Sequence, residues 1–189
     1  MAGKKETLRT QSAAATKKAT VMGLLFALAL TLTFIENMVL SAFEVIPGVR
    51  VGLSNIVTMY CLFFLGGPHA YALAFLKALF VLLTRGMVSS WLSLAGGVLS
   101  VTVMLLLTLP KKWELSYMLL SIAGAISHNL GQIVVVMLYM NWSLPAVLAY
   151  LPVLLLSGVG MGLMTSIILK LIMPPLKKLG AYRPRHKQK

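Results

Sequence analysis

The chain has 189 residues, is 59% hydrophobic and 11% charged, and carries a formal net charge of +13. A soluble domain has about a quarter charged and under half apolar residues, so this composition excludes an ordinary water-soluble globule and also a disordered chain. Most of the positive charge lies in residues 4–18 and 170–189, a distribution that favours contact with anionic membrane lipid and argues against nucleic-acid binding.

Six apolar segments follow one another along the chain and predict six membrane-spanning helices. Residues 1–18 are polar and basic and are predicted to form a flexible tail. The predicted spans are residues 19–40, 49–65, 69–84, 88–109, 115–140 and 146–173, the last ended by Pro174 and Pro175. Residues 176–189 form a second basic tail. The expected fold is therefore an all-α integral membrane protein with one six-helix transmembrane domain, residues 19–175.

The distribution of basic residues also predicts an orientation. Six spans place both tails on the same side of the membrane, together with the connection that holds Lys111 and Lys112. Connections rich in lysine and arginine stay in the cytoplasm, so both termini are expected to be cytoplasmic and the protein to lie in the plasma membrane as a multi-pass protein.

Polar side chains inside apolar spans are costly and therefore mark candidate sites. In the predicted topology these side chains gather between the midplane and the outer face, whereas the inner half of the spans is almost purely apolar. This asymmetry predicts a cationic pocket that opens to the outside and binds a small organic anion with an apolar body. The predicted substrate-binding residues are Arg50, Asn55, Lys77, Arg85, Ser93, His128, Asn129 and Gln132.

Most of these assignments have a structural alternative. His128, Asn129 and Gln132 share one helix face, and they can hold helices together through interhelical hydrogen bonds. Lys77 can extend its ammonium group to an interface. The two arginines can be interfacial anchors. Ser93 and the glycines at 96–97 can be positions where helices pack closely, which is the better interpretation for the glycines.

Enzyme chemistry is poorly supported by the sequence. There is no aspartate, and the four glutamates are not paired, so the carboxylate cluster that would hold Mg²⁺ against a diphosphate is missing. No nucleotide-binding P-loop occurs, so any energy from ATP must come from a partner. Cys61 is the single cysteine and permits neither an internal disulfide nor a cysteine-built metal site. We expect no enzymatic activity and no cofactor.

The first span also carries a stripe of small residues at a spacing of four: Ala19, Gly23 and Ala27. Such stripes let helices approach closely in lipid. This one can pack within the bundle or against a partner protein.

Four sequence blocks resemble the Gx transporter family, which also carries the label heptaprenyl diphosphate synthase component I. They are PGVRVGLSNIV at 47–57, SLAGG at 93–97, GAISHNLGQ at 124–132, and YLPVL with SG at 150–158. The resemblance covers about residues 19–175. This family is similar to the substrate-binding S components of energy-coupling factor (ECF) vitamin transporters.

The resemblance implies a six-helix S component. Such a subunit captures a scarce nutrient near the outer face and docks on a transmembrane coupling subunit that carries two ATPases. In ECF systems a small-residue stripe on the first helix contacts the coupling subunit, and Ala19, Gly23 and Ala27 match that pattern. Family members are associated with isoprenoid or quinone precursors. Two other functions stay open: a non-catalytic accessory subunit of a prenyl-diphosphate synthase, and a self-sufficient secondary carrier.

Overall fold

The structure is a computed structural model that describes residues 2–43, 53–109, 116–140 and 144–178. Six helices and no strand occur in these ranges, so the predicted all-α class is confirmed. The helices are α1 Ala2–Phe43, α2 Asn55–Phe64, α3 Gly67–Arg85, α4 Met87–Thr108, α5 Tyr117–Met140 and α6 Leu144–Lys178.

Five of the helices, α1 and α3 to α6, are long and apolar enough to cross a membrane. Many of their large apolar side chains are exposed, for example Leu83 (80%) and Leu138 (79%), because their solvent is lipid rather than water. The protein is thus a multi-pass membrane protein. The helix α2 has 10 residues and is about 15 Å long, half of the hydrocarbon thickness, so a sixth span stays a prediction.

Three predicted boundaries differ from the structure by more than three residues. Residues 2–18 continue α1 as helix instead of forming a flexible tail; lysine, glutamate and alanine are good helix formers, and a helix that is already nucleated extends at little cost. The helix α2 begins at Asn55 rather than at residue 49, and residues 44–52 lie outside the described part. The helix α6 runs past Pro174 and Pro175 to Lys178, since prolines are tolerated in membrane helices. The sidedness of both termini stays a prediction.

The helices α3, α4, α5 and α6 form the centre of the bundle, each packed on the next in chain order. The turn between α3 and α4 is the single residue Gly86, whose φ of 84° is a left-handed conformation that favours glycine. The backbones of α4 and α5 approach closely at Gly131, where a Cβ atom would lie 2.7 Å from the carbonyl oxygen of Ala95. These short connections and close crossings align the interior faces of the four helices.

The helix α1 lies at the edge of the bundle and, among the described residues, contacts α2 and α3. Its buried face contains Leu25, Ala29 and Glu36. Because their spacings of four and seven repeat along one side of a helix, α1 packs by a single stripe and leaves its other faces exposed.

Candidate functional site

The predicted site residues on α3 and α4 meet inside the bundle. Lys77 and Ser93 are both buried, with 6% and 7% of their surface exposed. Two contacts fix the register of α3 against α4: a 2.8 Å hydrogen bond from Ser90 Oγ to the carbonyl oxygen of Ala78, and the approach of Gly97 to Ala74, where a Cβ would lie 3.1 Å away. Lys77 and Ser93 both lie between these contacts, so they occupy the same level of the bundle.

His128 and Gln132 form a buried pair on α5. Gln132 Nε2 lies 3.1 Å from His128 Nε2. An amide nitrogen only donates, so His128 Nε2 is the acceptor in this contact. The other amide atom, Gln132 Oε1, is buried and has no hydrogen-bond partner among the described residues. Gln132 therefore presents one unused acceptor to the interior.

Gly96 on α4 provides the room for the histidine ring. A Cβ atom at Gly96 would lie 2.8 Å from both Cε1 and Nδ1 of His128. A methyl group at this distance would overlap the ring, so His128 keeps its position only beside a glycine. The interpretation of Gly96 and Gly97 as close-packing positions is confirmed.

Asn129 is buried and connects α5 to α6. Its Nδ2 donates to the carbonyl oxygen of Leu154 at 2.8 Å and to Ser157 Oγ at 3.2 Å. This is the interhelical bonding that the sequence left open as an alternative for Asn129. Its amide N–H groups are thereby used within the bundle.

The contacts that set the register also place these residues together. The approach of Gly96 to His128 puts Ser93, one turn away on α4, level with the next turn of α5, which contains Gln132. We call Lys77, Ser93, His128, Asn129 and Gln132 the polar layer. All five are at least nine-tenths buried, and they come from three helices.

Asn55 lies elsewhere. It is buried at the start of α2 and lines a separate small cavity with Ser100 and Ser121. Ser100 is seven residues further along α4 than Ser93, about 10 Å. Buried hydroxyl groups thus continue along α4 and α5 into the half of the bundle away from the polar layer. In the predicted orientation this is the inner half, which is therefore less apolar than expected. The spacing of seven between Ser93 and Ser100 was the signal for a shared helix face.

Arg85, another of the predicted site residues, does not join the polar layer. Arg85 is exposed at the last position of α3, as an interfacial anchor would be, and Arg50 lies outside the described residues. Glu36 was not among the predicted site residues, yet it is buried with 5% exposed, and its Oε2 accepts a 3.1 Å hydrogen bond from the backbone N–H of Leu53. This bond fastens the turn before α2 to α1.

The small-residue stripe of α1 is on the surface of the chain. Ala19, Gly23 and Ala27 are all exposed, and a Cβ atom at Gly23 would meet no atom within 4 Å. The sequence left two uses open for this stripe, packing inside the bundle and packing against a partner protein. In the described residues the stripe does not pack inside the bundle. In the described part of the chain, no three His, Cys, Asp or Glu side chains come together as possible metal ligands.

The fold and the geometry of the polar layer thus define this protein as a helical membrane protein with a buried polar layer between its spans. Residues 25–172 match the protein family described as heptaprenyl diphosphate synthase component I, and the chain belongs to this family, as its sequence blocks indicated. The family description refers to one component of a synthase. Comparisons with curated proteins and with solved structures gave no match.

Proposed function

We propose that this protein is the substrate-binding membrane subunit of an ECF-type uptake transporter in a bacterial plasma membrane. The substrate is a small anion with an apolar body, such as an isoprenoid or quinone precursor. The observation that carries the proposal is the polar layer, in which a lysine, a hydroxyl and an unused amide acceptor are buried at one level between spanning helices.

The charge of the polar layer supports an anionic substrate. A lysine in the centre of a spanning helix costs about 2.5–3.5 kcal/mol on insertion scales, so its position there calls for a function. The Lys77 ammonium group can donate to a carboxylate or phosphate, and Ser93 and the Gln132 acceptor can bind the neighbouring polar atoms. The apolar side chains of the same helices suit the body of the substrate.

The exposed stripe of α1 supports a membrane partner. Ala19, Gly23 and Ala27 leave a shallow surface on which another helix can approach closely in lipid. We assign this surface to the transmembrane coupling subunit, which carries the two ATPases that supply energy. The chain itself then needs neither enzymatic activity nor a cofactor.

Ligand binding tests the proposal directly. The protein is purified in lipid nanodiscs, co-purifying small molecules are identified by mass spectrometry, and binding is measured for prenyl diphosphates, naphthoate-type quinone precursors and vitamins. Replacing Lys77 by Gln removes a charge-assisted hydrogen bond of about 1.5–3 kcal/mol and weakens binding at least about tenfold. The matched control is Lys170→Gln, because Lys170 is an exposed lysine on α6.

Two results would contradict the site. One is binding that Lys77→Gln and Ser93→Ala both leave unchanged. The other is binding that Lys170→Gln weakens as much as Lys77→Gln, since this would show a general effect of charge on the protein surface.

A second function is favoured by the family description, which names a synthase component. In it, the protein is a non-catalytic membrane subunit that holds a lipid-like substrate for a soluble prenyl-diphosphate synthase. Co-purification separates the two functions. A membrane coupling subunit with ATPases in the purified complex supports uptake, whereas a soluble synthase rich in aspartate supports the accessory role.

A further inference from the structure

A small cavity lies between α2, α4, α5 and α6, on the side of Gly96 that faces away from the polar layer. The space that the centre of a water molecule can occupy in it is about 10 Å³, close to the volume that one bound water needs. Its lining includes the polar residues Asn55, Ser100 and Ser121 and the methionines Met59 and Met104.

Three of the lining side chains have a polar atom without a hydrogen-bond partner among the described residues. These atoms are Asn55 Oδ1, Ser100 Oγ and Ser121 Oγ. The three residues are 8%, 1% and 4% exposed, so neither lipid nor bulk water reaches them freely. A buried polar atom that loses its hydrogen bond costs about 1–3 kcal/mol, and three such atoms around one space point to a bound polar molecule.

The chemistry of the three atoms identifies this molecule. The amide oxygen of Asn55 only accepts, whereas each serine hydroxyl can donate or accept. One water satisfies all three when it donates to Asn55 Oδ1 and to one serine and accepts from the other. A bound cation would need more oxygen ligands than these three and is the weaker fit, since no carboxylate of the described residues lines the cavity.

We propose that this cavity is a binding site for one water molecule, which joins the short helix α2 to α4 and α5 through hydrogen bonds to Asn55, Ser100 and Ser121. The site is distinct from the polar layer and does not depend on the proposed transport function. It explains how α2, which is too short to span the membrane in its described part, is held against the central helices by polar contacts.

Energetic coupling tests the shared water. The free energy of unfolding is measured in mixed micelles for Asn55→Ala, Ser100→Ala and the double variant. Asn55 Oδ1 and Ser100 Oγ do not bond each other, so energetic coupling between the two side chains requires an intermediary. If the two single variants acted independently, their effects on the unfolding constant would multiply in the double variant. We expect the unfolding constant of the double variant to differ from that product by about threefold to tenfold. Ser127→Ala is the matched control, because Ser127 is buried on α5 but bonds the carbonyl oxygen of Ala123. Additive effects of Asn55→Ala and Ser100→Ala, or equal coupling of Asn55→Ala with Ser127→Ala, would overturn the proposal.

X-ray radiolysis gives a second readout that does not depend on stability. A hydroxyl radical formed from a bound water adds to the sulfur of a methionine beside it, and dissolved oxygen removes the second electron to give the sulfoxide. Met59 and Met104 line the cavity and are each 2% exposed, whereas Cys61 is fully buried, close to Met59 on α2, and does not line it. We expect oxidation of Met59 and Met104 but not of Cys61. We expect the oxidation of both methionines to be lost in the double variant Ser100→Ala/Ser121→Ala.

Three outcomes would overturn the water site. The first is absence of oxidation at both methionines of the original protein. The second is equal oxidation of these methionines in the original protein and in Ser100→Ala/Ser121→Ala. The third is a melting temperature that Na⁺ raises and K⁺ does not, in the original protein but not in the double variant. The last result would assign the cavity to a cation.

Discussion

Two glycines of α6 offer a matched test of how closely α5 and α6 pack. A Cβ atom at Gly162 would overlap the Cα atom of Ile122 and lie 2.8 Å from its backbone nitrogen, whereas a Cβ at Gly160 would meet no atom within 4 Å. Both glycines are interior residues of the same helix. The variants Gly162→Ala and Gly160→Ala therefore differ mainly in contact with α5.

The expected magnitude follows from two terms. Replacing glycine by alanine inside a helix stabilises it by up to about 1 kcal/mol, and this term is similar at the two positions. At Gly162 the new methyl group meets backbone atoms, which cannot rotate away, so α5 and α6 must separate; overpacking of this kind costs about 1–3 kcal/mol. The difference between the two variants is thus about 1–3 kcal/mol, with Gly162→Ala the less stable.

Unfolding in micelles of increasing SDS fraction measures this difference. We expect Gly160→Ala to unfold at or above the SDS fraction of the original protein and Gly162→Ala clearly below it. Equal unfolding of the two variants would refute the close contact of α5 and α6. A destabilised Gly160→Ala would instead refute the exposure of that face of α6.

Three further predictions concern single hydrogen bonds and charges. Asn129→Leu removes both bonds to α6 and should cost about 0.6–1.7 kcal/mol in the same unfolding assay, whereas Ser157→Ala, which keeps the Leu154 bond, should cost less. Glu36→Leu leaves the Leu53 N–H without its acceptor, so limited proteolysis between α1 and α2 should become faster. Lys77→Gln should weaken ligand binding at least about tenfold. Lys77→Arg keeps the charge but presents a planar donor, so binding keeps its full strength in this variant only if the polar layer accommodates the planar group.

Much of the fold could be predicted from the sequence because glycine and proline mark the helix ends. The starts and ends predicted for α3 and α4 lie within two residues of Gly67–Arg85 and Met87–Thr108, since Gly66 and Gly86 interrupt the apolar runs there. The start of α2 could not be predicted in this way. Residues 53–54 form a turn before α2, and hydropathy reports that such residues are suited to lipid but not whether their backbone is helical.

The candidate site was predicted only in part, for a similar reason. Helical spacing places His128 and Gln132 on one face, and this is what the structure has. The sequence does not fix how α2 is rotated and shifted against α4 and α5, which depends on tertiary contacts. Asn55 was therefore placed with the polar layer by its predicted depth, whereas it lines a cavity with Ser100 and Ser121.

The crossing of α4 and α5 links packing and function, and this decides which variants are informative. Gly96 and Gly131 let the two helices approach, and the same approach positions His128 and Gln132. A larger residue at Gly96 would therefore lower stability and ligand binding together, whatever the role of His128. Ser93 lies on the same helix face, is buried, and can lose its hydroxyl without a steric change, so a loss of binding without a loss of stability in Ser93→Ala would assign the effect to the polar layer itself.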